Sequence, residues 1–481
     1  MLHAAISRHA RETPEATAIA TLDGSIAYGR LHEDLNRVGH RLAALGFARR
    51  SIIGVWMADP YLQWLVLLAA YELGLVSYSF YNKRLDTNYA RIVGPLAILT
   101  DRSPPDVRRR FVTVDASWLE GPSAPFKGPP ASPADPIRLL LSSGTTGSPR
   151  QIVWTRQMAE ARLRDLVALI LPARARTLSL FPPQTGLGYR FPMATLLAGG
   201  AVLGIEDVAC GPELWSLRPN LIALPPSSLP RLMQSRPADL GPDPDLHLAV
   251  SGSLTPRPLR LETLARVTPN FHNIYGASET GLVAYCGAAV LDRHETAAGA
   301  PAAGVRIQVV DEADRPLPAG ATGRIRLHTD SMAGGYFKDP EATRAAFRDG
   351  WFYPGDNGHL KDDGVLVLEG RSSEILNIGG SKMSPDRIEG LALETPGVLD
   401  AAAFLLPSRL GAPALCVAVR PGPGFSEKTT VESLENIIGL RPIRLFQLRR
   451  IPRNAGGKIQ RDLLLPLVAP RTAGRRASRG R

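Results

Sequence analysis

Cysteine is scarce in this chain: Cys210, Cys286 and Cys416 are the only three among 481 residues. Their odd number and wide spacing exclude a disulfide framework and a Cys-x-x-Cys metal pattern, and fit a reducing cytosol. The opening Met1-Leu2-His3-Ala4 lacks the charged and then apolar run of a secretion signal. A long apolar run is missing too. The longest, Leu62 to Phe80, is broken by Glu72 and Gly74, and reads as a buried helix followed by a strand rather than a membrane span. No aromatic-basic ribbon or helix-turn-helix pattern accompanies the excess of 56 basic over 45 acidic residues. The net charge of +11 therefore points to small anionic partners such as nucleotides or coenzyme A, or to an acidic carrier protein, and not to nucleic acid.

What is present begins with Leu140-Leu141-Ser142-Ser143-Gly144-Thr145-Thr146-Gly147-Ser148-Pro149-Arg150. An apolar run, Ile137 to Leu141, feeds a loop of hydroxyls and glycines. Glycine lets backbone N–H groups turn inward, and the hydroxyls of Ser142, Ser143, Thr145 and Thr146 suit phosphate oxygens. The Walker arrangement is absent, because no Gly-Lys-Ser/Thr closes the loop and Pro149 blocks an immediate helix.

Length predicts two or three domains. Apolar periodicity predicts a helix over Gly29–Leu45 and another over Leu62–Leu73. Strands are predicted at Ser51–Met57, Val76–Phe80, Leu96–Thr100, Thr177–Phe181, Ala201–Leu203 and Leu221–Leu224, with a helix over Phe191–Ala198. Such alternation implies α/β layers around largely parallel sheets. From Val305 the pattern changes to alternating strands and Pro/Gly turns, a β-rich subdomain. A hinge is expected at Gly370–Glu374, and strands and helices alternate again to Val468. The Arg-rich tail 471–481 has too little apolar content to pack and is expected to be disordered.

Four more segments carry chemistry. Asn273-Ile274-Tyr275-Gly276-Ala277-Ser278-Glu279-Thr280-Gly281 sets an aromatic, a hydroxyl and a carboxylate in one predicted loop. Gly350-Trp351-Phe352-Tyr353-Pro354-Gly355-Asp356 reads as an aromatic strand ending in a carboxylate. Gly370-Arg371-Ser372-Ser373-Glu374-Ile375 precedes Asn377-Ile378-Gly379-Gly380-Ser381-Lys382, and Ala455-Gly456-Gly457-Lys458-Ile459-Gln460-Arg461 puts one lysine on a glycine-rich loop. Singly, each admits an ordinary turn or a solvated side chain.

In this order and at these spacings the five segments resemble the acyl-adenylate-forming superfamily of acyl-CoA synthetases, peptide-synthetase adenylation domains and luciferases. The resemblance covers about Ile26 to Leu465. It implies an α/β fold: a large N-terminal adenylation core (1–370) of two α/β subdomains plus a β-rich subdomain, and a small mobile α+β C-terminal lid domain (371–470). It implies that a carboxylate joins ATP to give an acyl-adenylate and pyrophosphate, and that the acyl group then passes to a pantetheine thiol after the C-terminal domain rotates. Carried onto this sequence, Ser142, Ser143, Gly144, Thr145, Thr146 and Gly147 hold the β/γ phosphates, and Tyr275 stacks adenine. Ser278 contacts phosphate, Glu279 helps hold Mg²⁺, Asp356 and Arg371 bind the ribose, and Lys458 bridges the substrate carboxylate and the α-phosphate.

Departures from the family pattern narrow the expectation. Arg150-Gln151 stands where Lys-Gly is usual, and Ser373 where the hinge usually has Asp or Lys. Pro182-Pro183-Gln184-Thr185-Gly186-Leu187-Gly188 lacks the frequent histidine. Amino-acid-activating relatives place an aspartate after the phenylalanine that corresponds to Phe181. Here Pro182 follows, so an aryl, aliphatic or unsaturated acid is expected rather than an α-amino acid. The acceptor implied by the resemblance is CoA or a phosphopantetheinyl carrier protein, the latter expected as a separate chain because no carrier-type Asp-Ser-Leu follows Arg461, with Asn377–Lys382 as the implied tunnel wall. Transfer to an amine or another small nucleophile, and a noncatalytic relative of the fold, are the alternatives.

Overall fold

The computed structural model describes residues 1–80, 85–106, 108–142, 150–204, 211–237, 239–371, 376–378, 381–406, 414–438, 442–454 and 457–468. The chain divides into two compact units: Met1–Ser253 with Leu261–Leu368, and Leu254–Arg260 with the chain from Glu369 onward.

The first unit is built on two large sheets. In the six-stranded sheet, Ile52–Val55 lies between Val76–Ser79 and Ala97–Thr100, all parallel. Pro136–Ser142 joins the same sheet beside Val76–Ser79, and Arg150–Thr155 runs back antiparallel to it with Ser142 opposite Arg150. The hydroxyl-rich loop thus links two antiparallel strands. The second sheet has 15 strands. Its parallel part runs through Arg176–Ser179, Leu221–Leu224, His247–Ser251 and Asn270–Ala277. Beyond Gly281–Gly287 it continues antiparallel through Ala297–Pro301 towards the strands of residues 306–371.

Local chemistry sets the helix ends. Pro60–Leu73 starts two residues earlier than periodicity alone predicts, because Asp59 accepts from the N–H of Tyr61 (2.8 Å) and Leu62 (3.1 Å) and Pro60 needs no partner there. It stops at Gly74, whose φ of +69° suits glycine. This helix is buried nearly all round and packs beside Tyr28–Ala44 in the main core. The predicted helix Phe191–Ala198 is in fact Gly186–Leu197. Thr185 caps it by accepting from Gly188 N–H at 3.0 Å, and Pro192 is carried within it, so the helix begins five residues before the predicted start.

The second unit is α+β. Val398–Leu406 and Ala414–Pro421 pair antiparallel, and Arg444–Gln447 adds in parallel. Period-two alternation gives this small sheet two apolar faces. Ala401, Ala403, Val417 and Val419 pack with Ile388 and Leu434, while Ala402, Phe404, Cys416 and Ala418 pack with Ile451 and Leu464. Glu389, on the helix Pro385–Leu393, accepts from Ala403 N–H at 2.9 Å and pairs with Arg461 at 2.6 Å. Burial pushes its carboxyl up to about 8, while Arg461 pulls it back. A carboxyl raised in the folded state binds its proton more tightly there than in the unfolded chain, so its contribution to stability fades as pH rises through that value. We expect the unfolding temperature of this unit to fall between about pH 4.5 and pH 8, and Glu389→Gln to flatten that slope, as read by calorimetry.

Candidate active site

The strand Asn270–Ala277 has a register shift between Tyr275 and Gly276 near its end, and the chain then turns tightly so that Ala277 faces Gly281. Tyr275 is therefore on a strand rather than in the predicted loop. Its hydroxyl donates to Asp356 Oδ2 at 2.5 Å. Asp356 is buried at the start of the strand Asp356–Leu360, one residue after Gly355 (φ +81°). The aromatic segment before it is thus two pieces, the strand Trp351–Phe352 and a turn, and Asp356 opens the next strand instead of ending that one.

Ser278 and Glu279 form the turn between Asn270–Ala277 and Gly281–Gly287, and it is held from beneath. Arg162, fully buried on the helix Arg156–Leu169, donates Nη1 to the Ser278 carbonyl (3.0 Å) and Nη2 to the carbonyls of Glu279 and Ser331 (2.7 Å each). Trp154 Nε1 also donates to the Ser278 carbonyl at 3.0 Å, and the Arg162 guanidinium stacks on the Trp154 ring, 4.7 Å from its centroid. Ala333 N–H donates to the Glu279 carbonyl at 2.8 Å. Gly281 has φ +85°, and a side chain there would press on Arg162 at 3.0 Å. Burial lowers the Arg162 pKa well below the ordinary value, with Arg190 lowering it further. Only a forked guanidinium reaches three carbonyls at once. Replacing Arg162 with leucine strands buried acceptors, and we expect a loss of about 3 kcal/mol by chemical denaturation, with Arg162→Lys recovering little of it.

The Glu279 carboxylate is buried, and its Oε1 accepts from the Tyr336 hydroxyl at 2.9 Å. Arg150, at the exit of the hydroxyl-rich loop, lies over the Tyr336 ring at 5.0 Å. Burial and the neighbouring Glu279 charge push the Tyr336 phenol upward, so it donates at neutral pH. Arg162 and Tyr336 are absent from the sequence-derived set. The only trace of Tyr336 is Gly334-Gly335 before it and Asp339-Pro340 after it, which mark a turn and a helix start.

Arg371 and Lys458 belong to the second unit, Arg371 at the end of Leu366–Arg371. The Lys458 loop is closed by its own chain. Lys458 N–H donates to Asn454 Oδ1 (3.0 Å), Asn454 N–H to the Lys458 carbonyl (2.9 Å), and Arg453 Nη1 to the Gly457 carbonyl (2.8 Å). Arg453 is fixed in turn by Asp400 at 2.7 Å.

The structure thus joins Tyr275 to Asp356, and sets Ser278 and Glu279 in one clamped turn next to Tyr275. Ser143, Gly144, Thr145, Thr146 and Gly147, the Ser142 side chain, Ser373 and the tail 471–481 lie outside the described residues. Of the implied tunnel wall, Leu376–Ile378 and Ser381–Met383 pair as a two-stranded hairpin. Among the described residues no group of three or more His, Cys, Asp or Glu is placed to share a metal ion, and no helix is long and apolar enough to cross a membrane.

Comparison with known proteins gives one consistent result. The family model described as AMP-binding enzyme matches residues 6–337. The indoleacetate–CoA ligase of Aromatoleum aromaticum is 28% identical, over 97% of this chain and 98% of its own length. A fatty acid–[acyl-carrier-protein] ligase of Streptomyces coeruleorubidus is 25% identical, over 95% and 94%. Among solved structures, Bacillus subtilis o-succinylbenzoate CoA synthetase with its acyl-adenylate intermediate aligns with a TM-score of 0.83, at 20% identity over 96% of this chain and 97% of that one. Rhodopseudomonas palustris MatB with ATP aligns at 0.82, with 21% identity over 97% and 99%.

Proposed function

Because the chain belongs to the AMP-binding enzyme family, we propose that it is an ATP-dependent, AMP-forming acid–thiol ligase. It activates a carboxylic acid as acyl-AMP and passes the acyl group to the pantetheine thiol of CoA or of a separate acyl carrier protein. The observation that carries this reading is the strand Asn270–Ala277 with its turn. Within five residues it presents Tyr275, bonded to the buried Asp356, and the buried, clamped Glu279. An aromatic beside a carboxylate suits adenine and the two ribose hydroxyls, and Arg371 adds a ribose donor. The two classes of full-length relative, a CoA ligase and a carrier-protein ligase, support both acceptors.

In the first step an oxygen of the substrate carboxylate attacks the α-phosphorus, and the bond from that phosphorus to the bridging oxygen breaks, releasing pyrophosphate. Two anions must meet, so cationic groups have to offset the gathering charge. Lys458 takes that part at the attacking carboxylate and α-phosphate, and the loop Ser142–Gly147 with Ser278 holds the phosphates. Glu279 is a single hard oxygen donor with no metal-ligand cluster around it among the described residues. That donor set fits Mg²⁺, which takes most of its ligands from phosphates and water. When bound, Mg²⁺ neutralises phosphate charge. In the second step the thiol sulfur attacks the acyl carbon and AMP leaves. Withdrawal of the expected C-terminal lid domain (371–470), which carries Lys458, from the adenylation core (1–370) opens the way for the thiol. The acid lacks an α-amino group: at Phe181-Pro182 the chain offers an apolar ring and carbonyls, with no carboxylate to pair an ammonium. A cytoplasmic location, where ATP and CoA abound, fits this chemistry.

The test is pyrophosphate release with ATP and Mg²⁺ across a panel of aryl, aliphatic and unsaturated acids, each without acceptor, with CoA, and with a pantetheinylated carrier. We expect release dependent on one class of acid, and multiple turnover with one acceptor. Release with α-amino acids alone, or turnover only with an amine, contradicts the proposal.

A further inference from the structure

The strand Arg150–Thr155, which follows the hydroxyl-rich segment in the sequence, and the turn that carries Glu279 belong to different sheets. A third segment, residues 333–337, ties the two together. Its first residue, Ala333, donates its N–H to the Glu279 carbonyl at 2.8 Å, and its last, Phe337, donates its N–H to the Gln151 carbonyl at 2.7 Å. Between these anchors stands Tyr336, buried to 8% exposure. Its N–H donates to Thr343 Oγ1 at 2.9 Å, and its ring meets Phe347 edge-on with centroids 5.6 Å apart. Gly335, at φ +150°, lets the chain pass Thr343, where a Cβ would come within 2.5 Å of the threonine methyl. The position of the ring is therefore fixed by its surroundings before any ligand arrives.

We propose that Tyr336 is a positioning residue for the metal-binding carboxylate: its hydroxyl holds Glu279 Oε1 at 2.9 Å while its ring carries the Arg150 guanidinium at 5.0 Å. This rests on the reading of Glu279 as the Mg²⁺ carboxylate. A glutamate side chain has three torsions. Backbone bonds to its carbonyl fix only its root, so a donor at the carboxylate is what removes the last rotation. Metal-binding carboxylates are commonly held by such a partner, and losing it weakens metal affinity about 10–100-fold. A phenol is suited to this. It donates one hydrogen bond and brings no positive charge to compete with the cation, which a lysine in its place would do. Arg150 follows the phosphate loop directly, so its stacking on the same ring couples the placement of the loop exit to that of the carboxylate.

A buried tyrosine that merely satisfies its hydroxyl on the nearest acceptor is the ordinary alternative. The two differ in what the hydroxyl controls. Tyr336→Phe keeps the ring, its packing on Phe347 and the Arg150 stack, and removes one oxygen. ATP affinity is measured by calorimetry without any acid, once with Mg²⁺ and once in a chelator, for the unaltered protein, Tyr336→Phe and Glu279→Gln. The unaltered protein is expected to bind ATP more tightly with Mg²⁺, and Glu279→Gln to lose that difference. Tyr336→Phe is expected to lose about tenfold in affinity for ATP with Mg²⁺ and to stay within about twofold in the chelator. A phenylalanine variant with the full Mg²⁺ effect, beside a glutamine variant without it, overturns the role of Tyr336 and leaves Glu279 as the metal carboxylate. A glutamine variant that keeps the full effect overturns the metal reading, and the positioning role with it. Equal weakening of both ATP forms in Tyr336→Phe means a purely structural tyrosine, and also overturns the proposal.

Discussion

Replacing Lys458 with alanine is expected to slow acyl-adenylate formation by about three decades, or ~4 kcal/mol of transition-state stabilisation. The size follows from the charges. A carboxylate approaching a triphosphate gathers negative charge at the α-phosphate, and a lysine ammonium is a compact charge on a flexible stem that can follow it. The loop is closed by Lys458 backbone bonds to Asn454 and by the Arg453 bridge to Asp400, none of which uses the ammonium. The loss of rate is to be read beside the unfolding temperature of the variant, which should shift by no more than a few degrees at this half-buried position. The second half-reaction separates this role from a general loss of function. When acyl-adenylate is prepared chemically and supplied with the acceptor thiol, thioester formation should stay within a few-fold of the parent, because in the acyl-adenylate the attacking carboxylate has already lost its charge to the new bond to phosphorus, and no second anion has to be brought to the α-phosphate. Pyrophosphate exchange at the parental rate in the alanine variant would remove Lys458 from the mechanism.

How much of this was legible in the sequence depends on the kind of signal. The α/β class followed from apolar periodicity, and the helix Tyr28–Ala44 and the strands around it fell where the spacing put them. Hydrogen-bond caps are a weaker signal: Asp59-Pro60 and Thr185 each begin a helix before its first periodic apolar residue. Tyr275 and Asp356 were readable as short motifs, but their contact across 81 positions was not, because a side-chain bond between two distant strands leaves no mark in local composition. Arg162 was hidden for a different reason. A basic residue on an amphipathic helix ordinarily faces solvent, and only the three-dimensional path of residues 278–331 supplies the three carbonyls that bury it. Tyr336 was hidden similarly, since its partner lies 57 residues earlier in the chain.

The glycine at 276 gives the second large effect. It sits at the register shift after Tyr275, in the strand that leads into the Ser278–Glu279 turn. Its φ lies outside the left-handed region, so glycine is needed there for space. A Cβ at this position would come to 2.0 Å from the Gly281 carbonyl oxygen, with the Leu282 Cα at 3.3 Å. Both obstacles are backbone, which cannot rotate away as a flexible side chain does. The only relief is to part the strands Asn270–Ala277 and Gly281–Gly287 at the residues that fix Tyr275 on one side and Glu279 on the other. The shift needed is of the order of 1 Å, and displacement on that scale costs about a hundredfold in rate when it falls on groups that must act together. Gly276→Ala should thus lower adenylate formation at least about a hundredfold and also lower the unfolding temperature, because Arg162, Trp154 and Ala333 hold the turn in its original place. Gly24→Ala is the matched control: it lies in the same unit, and nothing stands within 4 Å of its added methyl. If both variants behave alike, the close approach at Gly276 does not set the geometry of the site. If only Gly276→Ala fails, and Tyr336→Phe fails solely in its Mg²⁺ dependence, then the turn and its side-chain support act as separable layers, the first setting where Glu279 stands and the second how its carboxylate is turned.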